Sequence, residues 1–470
     1  MTAVGRSWCG PILACRRPLH CPRLGRTCMR WPTRFTRRPG TCSSTTRRRR
    51  PAKVRIRSMT PAEPHVTAPI AAEPETLGGR YRLLLIALTL GVAATVLFRS
   101  AADRSHAPAS VAGSVWPAAR NISPDRIPVF SSSWITPVGH TPSAHSCSVC
   151  VLPDGDLLAI WFGGSREGAA DVALFTARLA VGSETWTVPV RVVDRESAQQ
   201  ELGRAIRKIG NAVVFPDGKG GVWMIYVTVT VGGWSGSALN FKTSRDDGRT
   251  WGPSQRLMLN PFFNLSSLVR NQPMLAADGR IGLPIYHEMA RTFPQLLWLT
   301  PGPAGSLASY GVRSLPGAQH LIQPVLVPLD NGRVFMALRD HGVAGKMHSA
   351  FSEDRGWTWS PAVPGELPNP DAAVGAIRVR DGRFLLVYND SARGRENLRL
   401  AVSSDAGRTW RAGPVIENEA NQEFSYPALV EDDRGRIHLA YTWKRQRIKH
   451  VEFNLAWLDG QLGAGSPTTP

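Results

Sequence analysis

Three stretches of the chain repeat the pattern Ser-x-Asp-x-Gly-x-Thr-Trp, and this pattern decides the fold. They are SRDDGRTW at 244–251, SEDRGWTW at 352–359 and SSDAGRTW at 403–410, and a degenerate copy ends in Thr185-Trp186. In such a turn Asp and Ser satisfy backbone donors, Gly adopts a φ angle that other residues avoid, and Trp packs between neighbouring sheets. The carboxylates would also suit a catalytic pair or a calcium site, but acidic residues in turns usually bond the local backbone. We therefore interpret the repeated motif as structural.

A second signal, Asp-Gly or a close variant followed by an apolar run, occurs six times between residues 143 and 460. The turns are Asp154-Gly155, Asp217-Gly218, Asp278-Gly279, Asp330-Asn331-Gly332, Asp381-Gly382 and Asp433-Arg434-Gly435. Their first aspartates are 63, 61, 52, 51 and 52 residues apart, and Asp-Gly between apolar runs is typical of β-hairpins. No convincing amphipathic helix pattern separates the units. Six units of about 50 residues, each long enough for four short strands, predict an all-β fold, a six-bladed β-propeller.

The positive charge of the chain is concentrated at its N-terminus. The 470 residues have a formal net charge of +20, and residues 1–58 supply +16 of it with fifteen Arg, one Lys and no acidic residue. The rest of the chain therefore has a net charge of only +4. This excludes a polybasic surface on the main domain, and we expect no nucleic-acid partner.

Cysteine is distributed in the same way, with five of the seven in residues 1–58. This distribution excludes a disulfide-stapled scaffold for the body of the protein. The remaining pair, Cys147-Ser-Val-Cys150, has the spacing of a redox or zinc motif. It lies in an apolar alternating run, where residues three apart point to opposite faces of a strand, so we predict two buried strand cysteines. We expect neither a metal nor a cofactor.

The composition changes abruptly at Met59. Residues 1–58 combine arginine runs with scattered Pro, Trp and Cys and cannot bury a core. They are either a basic tail for nucleic acid or anionic lipid, or, as we favour, residues upstream of the true translation start. Residues 59–81 would form a cytoplasmic linker, 100–125 a polar linker and 461–470 a tail.

Residues 83–98 (LLLIALTLGVAATVLF) are sixteen uncharged, mostly apolar residues flanked by arginines. As a helix they would span roughly 24 Å, which is sufficient for a bilayer if the flanking arginines snorkel. We predict a transmembrane or signal-anchor helix over 82–99; the alternatives are a cleaved signal peptide and, less favoured because no polar face interrupts the run, a buried core helix. The upstream positive charge places the N-terminus in the cytoplasm and the propeller, predicted over 126–460, in the periplasm or outside the cell.

Strand order predicts which face of the ring holds a site. In a four-stranded up-and-down blade the two repeated turns lie on one face, so the starts of first and third strands and the ends of second strands lie on the other. The polar residues collected there are His145, Arg166, Glu167, Asn211, Arg270, Asn271, Tyr286, His287, Glu288, Gln323, Arg339, Asp371, Asn389, Asp390, Arg395, Tyr426, Trp443 and Arg445. Each one alone would ordinarily be a solvated rim residue, but together they indicate a polyhydroxylated or anionic ligand.

The repeated motif is the Asp-box, and over about residues 126–460 the chain resembles the sialidase (neuraminidase) superfamily of bacterial-neuraminidase-repeat propellers. Asp-boxes also occur in non-catalytic propellers and other glycosidases, so they indicate the fold more strongly than the function. The resemblance implies a retaining exo-α-sialidase-like glycoside hydrolase. In that family three arginines hold the substrate carboxylate, a Tyr assisted by a Glu is the nucleophile, and an Asp on a flexible loop is the acid/base.

The resemblance also implies roles for individual residues. Arg339 is similar to the second arginine of the family, and Arg395, before the last Asp-box, to the third. Tyr426, in Phe-Ser-Tyr-Pro, resembles the nucleophile. Glu167, in Gly-Ser-Arg-Glu-Gly, occupies the acid/base neighbourhood, with Asp171 as the alternative.

Where the first arginine of the family is expected, the chain has His145. An Arg126-Ile-Pro sequence does occur, but it lies 29 residues before Gly155, and we interpret it as a chance match. Arg445, in the basic run 441–450, would help to replace the missing arginine, unless that run is simply a solvated outer strand.

The second departure concerns the Glu that assists the tyrosine. At that position the chain has Gln323-Pro324, and Glu288 from an adjacent blade is the nearest carboxylate candidate.

Three functions remain open. The first is a membrane-anchored, extracytoplasmic exo-glycoside hydrolase of the sialidase type, acting on a terminal acidic sugar of a glycoconjugate or polysaccharide. The second is a non-catalytic carbohydrate-binding propeller, and the third is a structural or protein-interaction propeller at the membrane, which would not need the polar residues collected on one face. For the enzyme the catalytic candidates are Tyr426, Glu167, Asp171 and Glu288. The substrate-binding candidates are His145, Arg166, Asn211, Asn271, Gln323, Arg339, Asn389, Arg395 and Arg445.

Overall fold

The computed structural model describes residues 81–93, 126–259, 264–289 and 291–464, and within them six antiparallel sheets follow one another along the chain. Blade 1 consists of Ser143–Val151, Leu157–Gly164, Ala173–Leu179 and Val190–Val193. Blade 2 consists of Lys208–Pro216, Val222–Val229, Ser237–Ser244 and Gln255–Arg256. Blade 3 consists of Leu268–Val269, Met274–Leu275, Ile281–His287, Phe293–Pro301 and Leu307–Ser314. Blade 4 consists of Leu321–Pro328, Val334–Asp340, Lys346–Ser352 and Val363–Pro368. Blade 5 consists of Gly375–Arg378, Phe384–Tyr388, Asn397–Ser403 and Arg411–Asn418. Blade 6 consists of Phe424–Glu431, Arg436–Trp443, Arg447–Asn454 and Phe130–Trp134. The prediction of an all-β six-bladed propeller is confirmed.

The ring is closed by strands from both ends of the propeller sequence. Strand Phe130–Trp134 is the outermost strand of blade 6, where it pairs with Arg447–Asn454, and the chain then enters blade 1. The first strands of neighbouring blades pack against one another around the axis. A blade alone is a marginal sheet, so closure is what buries its faces. Arg126 precedes the outermost strand, which places it away from the axis.

The repeated turns have the geometry that their sequences predict. The glycines of all six hairpin turns have positive φ angles, from 72° to 91°. In the first Asp-box, Asp246 accepts hydrogen bonds from the backbone N–H and the hydroxyl of Thr250 at 2.8 and 2.6 Å, and the Ser244 hydroxyl accepts one from the Gly248 N–H at 2.8 Å. The boxes at 354 and 405 repeat these bonds. Their carboxylates are therefore occupied by the turns.

The blades pack face to face through apolar clusters. Trp359 is 7% exposed and packs with Met274 and Leu296 of blade 3 and with Met336 of blade 4. Cys147 and Cys150 are buried and unpaired, in clusters on opposite faces of their strand, as predicted. Burial raises the pKa of both thiols to about 12, so they are not reactive.

Helical segments lie outside the repeated units. Helix Arg195–Leu202, between blades 1 and 2, was not predicted; Asp194 and Ser197 form its capping box and Gly203 ends it in the left-handed conformation. This insertion accounts for the long spacing between the first two units. Helix Leu455–Ala464 packs beside blades 5 and 6, and extends past the predicted boundary at residue 460. Short 3₁₀ turns occur at Trp234–Gly236, Pro303–Gly305 and Asp330–Gly332.

A helix over residues 81–93 overlaps the segment predicted to cross a membrane. Among the described residues, no helix has the length and apolar character needed to span a bilayer. Residues 94–99 of the predicted segment, the basic segment 1–58, residues 59–80 of the first linker, the whole second linker 100–125 and residues 465–470 lie outside the described residues.

Candidate functional site

Four blades have the same irregularity where their first strand approaches the axis. In blades 1, 2, 4 and 6 the first strand holds two residues opposite one residue of the second strand, which is a β-bulge. The first bulge residues are Ser146, Gly210, Gln323 and Tyr426. Three of them, Ser146, Gln323 and Tyr426, have φ angles of 55°, 52° and 55°, which is costly for non-glycine residues and concentrates at functional sites. We call these four positions the axial bulges.

Tyr426 lies among cations. The guanidinium carbons of Arg270 and Arg395 are 5.1 and 5.9 Å from the centre of its ring, and the ring of His145 is 4.4 Å away between centroids. The phenol also interacts with Arg339: despite burial, which opposes it, the pKa of Arg339 is raised by Tyr426 and by Asp371. Arg339 therefore remains charged beside the phenolic oxygen.

Arg339 is the last residue but one in the second strand of blade 4, and its hydrogen bonds orient it. Its Nε donates to Asp371 Oδ1 at 2.7 Å and a terminal nitrogen donates to Gln323 Oε1 at 3.0 Å. His341 Nδ1 lies 3.1 Å from the same Asp371 oxygen. Burial would raise the pKa of Asp371, but Arg339 and His341 lower it, so this carboxyl is ionised. Asp371, with a φ of 53°, lies just before the first strand of blade 5.

A second network joins blades 5, 6 and 1. Glu423 accepts hydrogen bonds from Arg395 at 3.3 Å, from Arg445 at 3.2 Å and from the Ser425 hydroxyl at 2.7 Å. Burial would raise the pKa of Glu423, but these partners lower it. Arg445 also forms a short ion pair with Glu167, the predicted acid/base. Glu167 is therefore the partner of a guanidinium.

Arg270 supplies a cation to which the sequence analysis assigned no role. Its side chain is 2% exposed; it donates to the Pro427 carbonyl at 3.0 Å, and burial lowers its pKa to about 10. His145, which the sequence resemblance predicts in place of the first arginine of the family, is 1% exposed. Burial, and then Arg445 and other arginines, lower its pKa well below the ordinary value, so His145 is neutral. Four arginines (Arg270, Arg339, Arg395 and Arg445) and a neutral histidine thus surround Tyr426.

Glu288 differs from the other carboxyl groups of the site. Within the described part of the chain its carboxyl makes no hydrogen bond or ion pair, whereas Glu167, Asp371 and Glu423 all have cationic partners. Burial raises its pKa, and the nearby carboxylates Asp371 and Glu167 add to that effect although His341 and Arg339 oppose it. Glu288 is the carboxyl best able to hold a proton.

The neutral polar candidates hold the floor of the site together. Gln323 donates to the Tyr286 hydroxyl at 3.3 Å, and Asn211 donates to the same hydroxyl at 3.4 Å. Asn271 donates to the carbonyls of Gln323 and Pro324 at 3.0 and 2.9 Å. Gln323 thus links Arg339 to Tyr286.

Three candidates are placed away from this centre or committed to the backbone. Asp171 accepts hydrogen bonds from the backbone N–H and the hydroxyl of Ser165 at 2.8 and 2.9 Å. These bonds close the loop between the two residues, so the Asp171 carboxylate stabilises the loop. Asn389 is buried and donates to the Phe424 carbonyl at 2.8 Å. Arg166 is exposed on the rim.

Sequence reasoning missed Glu423 and His341. Glu423 directly precedes the first strand of blade 6. A search for polar residues at the starts of first strands, the signal used in the sequence analysis, could have found it. His341 follows Arg339 by two residues, just after the second strand of blade 4. No group of three or more potential metal ligands is found among the residues that the structure describes.

The fold and site define a six-bladed Asp-box propeller in which arginines surround a half-buried tyrosine near the axis. A family model described as "BNR repeat-like domain" matches residues 155–439, and the chain belongs to that family. No match is found among curated proteins.

Solved structures share the fold at low sequence identity. The Hadza microbial sialidase Hz136 is similar with a TM-score of 0.59 and 16% identity, over 70% of this chain and 69% of that one. The intramolecular trans-sialidase from Ruminococcus gnavus, solved with oseltamivir carboxylate, has a TM-score of 0.55 and 14% identity, over 68% and 96%. A protein of unknown function from Dyadobacter fermentans has a TM-score of 0.56 and 16% identity, over 70% and 100%. At these identities the likeness shows the fold.

Proposed function

We propose that the protein is a retaining exo-glycoside hydrolase of the sialidase type that acts on a terminal acidic sugar. The observation that carries the proposal is Tyr426 itself, held at a positive φ on an axial bulge among four arginines. A tyrosine nucleophile is a known alternative to the two-carboxylate scheme of most glycosidases. The sialidases and trans-sialidases among the similar structures support the assignment.

In the proposed reaction, the Tyr426 oxygen forms a bond to the anomeric carbon while the bond to the leaving oxygen breaks. Glu288 donates its proton to that leaving oxygen and then, ionised, accepts a proton from the water that hydrolyses the glycosyl-enzyme. Glu423, ionised by its arginines, is our candidate to accept the phenol proton. These roles replace Glu167 as the proton donor, because the Glu167 carboxylate is already the ion-pair partner of Arg445.

Arg339, Arg395 and Arg445 are assigned to the carboxylate of the sugar, since a guanidinium group can bind a carboxylate through two hydrogen bonds. Each already has a protein carboxylate partner, so a substrate carboxylate has to share or displace Asp371 and Glu423. This occupancy favours a second candidate, a carbohydrate-binding propeller without turnover. For either function we propose the location predicted from the sequence, outside the cytoplasm and anchored through residues 82–99.

The test is hydrolysis of aryl glycosides of sialic, uronic and deoxy sugars by the purified protein, with the stereochemistry of the first product followed by NMR. Arg339→Lys should weaken an acidic substrate about ten- to a hundred-fold, because a point charge cannot reproduce the two-point contact. Arg333→Lys is the matched control: it changes an arginine at the opposite end of the same strand, where Glu353 is its partner.

Retention with an acidic sugar supports the enzyme, and binding without turnover supports the second candidate. Equal losses in Arg339→Lys on an acidic sugar and on its neutral amide would show that the arginine only shapes the site.

A further inference from the structure

The axial bulge of blade 2 lacks a side chain, and an aromatic ring occupies the space. Gly210 has the same register position as Tyr426 and Gln323. A Cβ added to Gly210 would lie 2.5 and 2.6 Å from two ring carbons of Trp234, so the indole edge lies directly against the glycine backbone. Trp234 belongs to the loop after the second strand of blade 2 and is half-buried. The absence of a side chain at Gly210 is what lets this ring pack against the axial bulge of blade 2.

A lysine without a carboxylate partner accompanies the ring. Lys208 Nζ lies 5.8 Å from the centre of the Trp234 ring. The same side chain touches the loop that holds Glu167, since its Nζ lies 3.5 Å from the position of a Cβ on Gly168. Lys208 makes no hydrogen bond or ion pair with the described residues, unlike Arg339, Arg395 and Arg445. Arg166, two residues before Gly168, is exposed and likewise donates no hydrogen bond there.

The cationic side chains of the site are therefore of two kinds: those that have a partner in the protein and those that have none among the described residues. Around Tyr426 every arginine except Arg270 has a carboxylate partner, and Arg270 is bound to a carbonyl. On the rim of blades 1 and 2, Lys208 is half-buried and uncompensated beside an accessible aromatic ring. A half-buried ammonium without a counter-ion favours an anionic ligand at that place. An aromatic ring beside it offers an apolar surface to the face of a sugar.

We propose that Trp234 and Lys208 form a second sugar subsite, which binds the residue on the leaving-group side when that residue carries a carboxylate or sulfate. The inference rests on the proposed function, because it takes Tyr426 as the position of the terminal sugar. Trp234 contacts the ring of the second sugar and Lys208 binds its anionic group. The substrate class is then an acidic oligosaccharide with charges on two consecutive residues.

The test compares two probes that differ only in the second sugar: sialic acid α-linked to galactose, and the same disaccharide with a sulfate on the galactose. A third probe, methyl α-sialoside, lacks the second sugar. Binding to the full chain is measured by calorimetry in a Tyr426→Phe background, which prevents turnover. We expect the sulfated probe to bind roughly three- to ten-fold more tightly than the neutral one, a modest gain because the lysine is partly solvated.

Lys208→Met should abolish that preference and leave the neutral probe unchanged. Trp234→Ala should weaken both disaccharides and leave the methyl sialoside unchanged. Gly210→Ala, which displaces the ring without removing it, should act like Trp234→Ala. The matched control is Lys219→Met, at the exposed hairpin turn on the opposite face, which should change none of the three affinities.

The subsite is overturned if sulfate gives no gain, if Lys208→Met weakens both disaccharides equally, or if neither disaccharide binds. Hydrolysis of an aryl sialoside by the wild-type protein is measured separately. If it proceeds while the disaccharides show no preference, the subsite fails and the proposed function stands. If hydrolysis is absent but the sulfate preference depends on Lys208, the subsite stands and the catalytic assignment fails.

Discussion

The two faces of the propeller are built from opposite ends of the same strands, yet they use their carboxylates in opposite ways. On the turn face, Asp246, Asp354 and Asp405 make the same hydrogen bonds to their own turns. On the site face, the axial bulges share one backbone irregularity but present a different residue in each blade. The Asp-boxes repeat in both backbone and sequence, and they stabilise the propeller. The axial bulges repeat in backbone only, so each can hold a side chain with a different function.

The pKa values of the Asp-box carboxyl groups are all lowered, whereas those of the site face differ from one another: Asp371 and Glu423 are lowered by their cationic partners, and Glu288 is raised. Hydrogen bonds from Thr250 lower the pKa of Asp246 to about 2, and those from Thr409 lower the pKa of Asp405 to about 2 although partial burial opposes them. On the site face the pKa of Glu288 is raised by burial. Changes on the site face should therefore alter chemistry, and changes on the turn face should alter stability.

The largest expected effect is that of Tyr426→Phe. Removal of the nucleophilic oxygen should lower kcat by at least about 10⁴-fold while the affinity for a ground-state ligand changes little. Stopped-assay hydrolysis and calorimetry measure the two quantities, with Tyr310→Phe, on the outer strand of blade 3, as the control. Residual turnover within ten-fold of wild type would remove Tyr426 from the mechanism.

Glu288→Gln should lower kcat by roughly 10²- to 10⁴-fold, as expected for loss of a general acid. The acid acts when protonated, so wild-type activity should fall as the pH rises through the pKa of Glu288, which burial places above the ordinary glutamate value. In Glu288→Gln this alkaline fall should disappear from the pH–rate profile. A substrate whose leaving group needs no proton, such as a dinitrophenyl glycoside, should be hydrolysed almost normally by the variant. If the alkaline fall persists, another group is the acid.

Trp359→Ala tests the turn face. The indole is 7% exposed between blades 3 and 4, and its Nε1 donates to the Gly356 carbonyl at 3.1 Å. Its loss should cost about 3–5 kcal/mol of unfolding free energy. Chemical denaturation measures this, and Trp410→Ala, where the ring is only partly buried, should cost less. A variant that unfolds like the wild type but no longer binds ligand would reverse the assignment of the faces.

Much of the fold was predictable because its signals are local. The Asp-Gly turns and Asp-boxes are short patterns whose geometry is fixed by nearby residues, and their spacing gave six blades. Helix Arg195–Leu202 was missed because it is short and polar, with one buried residue, and lacks a strong apolar stripe. Its capping residues Asp194 and Ser197 were the available signal.

The site was predictable only in part, because its contacts cross blades. Strand order placed Arg339, Arg395 and Tyr426 on one face, and the structure brings them together. It could not show that Glu167 pairs with Arg445, since these residues are 278 positions apart. Nor could strand order show that Glu288 is the carboxyl group without a cationic partner, because that depends on which cations pair with Glu167, Asp371 and Glu423.

The smallest effect concerns Asp432, a buried carboxyl on the turn face of blade 6. It accepts hydrogen bonds from the backbone N–H groups of Arg434 and Arg436 at 2.9 and 2.8 Å. Burial alone would raise its pKa, but His438 and these donors lower it to about 2. In the unfolded chain an aspartate has a pKa near 3.9, so the folded state is favoured above that pH by about 2 kcal/mol, and the benefit is lost as the pH falls from about 4 to 2.

Asp432→Asn should remove this benefit at pH 7 and cost little at pH 2, measured by urea unfolding across the pH range, with the exposed Glu184→Gln as the control. An equal loss at both pH values would mean that the side chain stabilises the turn by shape and hydrogen bonding alone, without its charge.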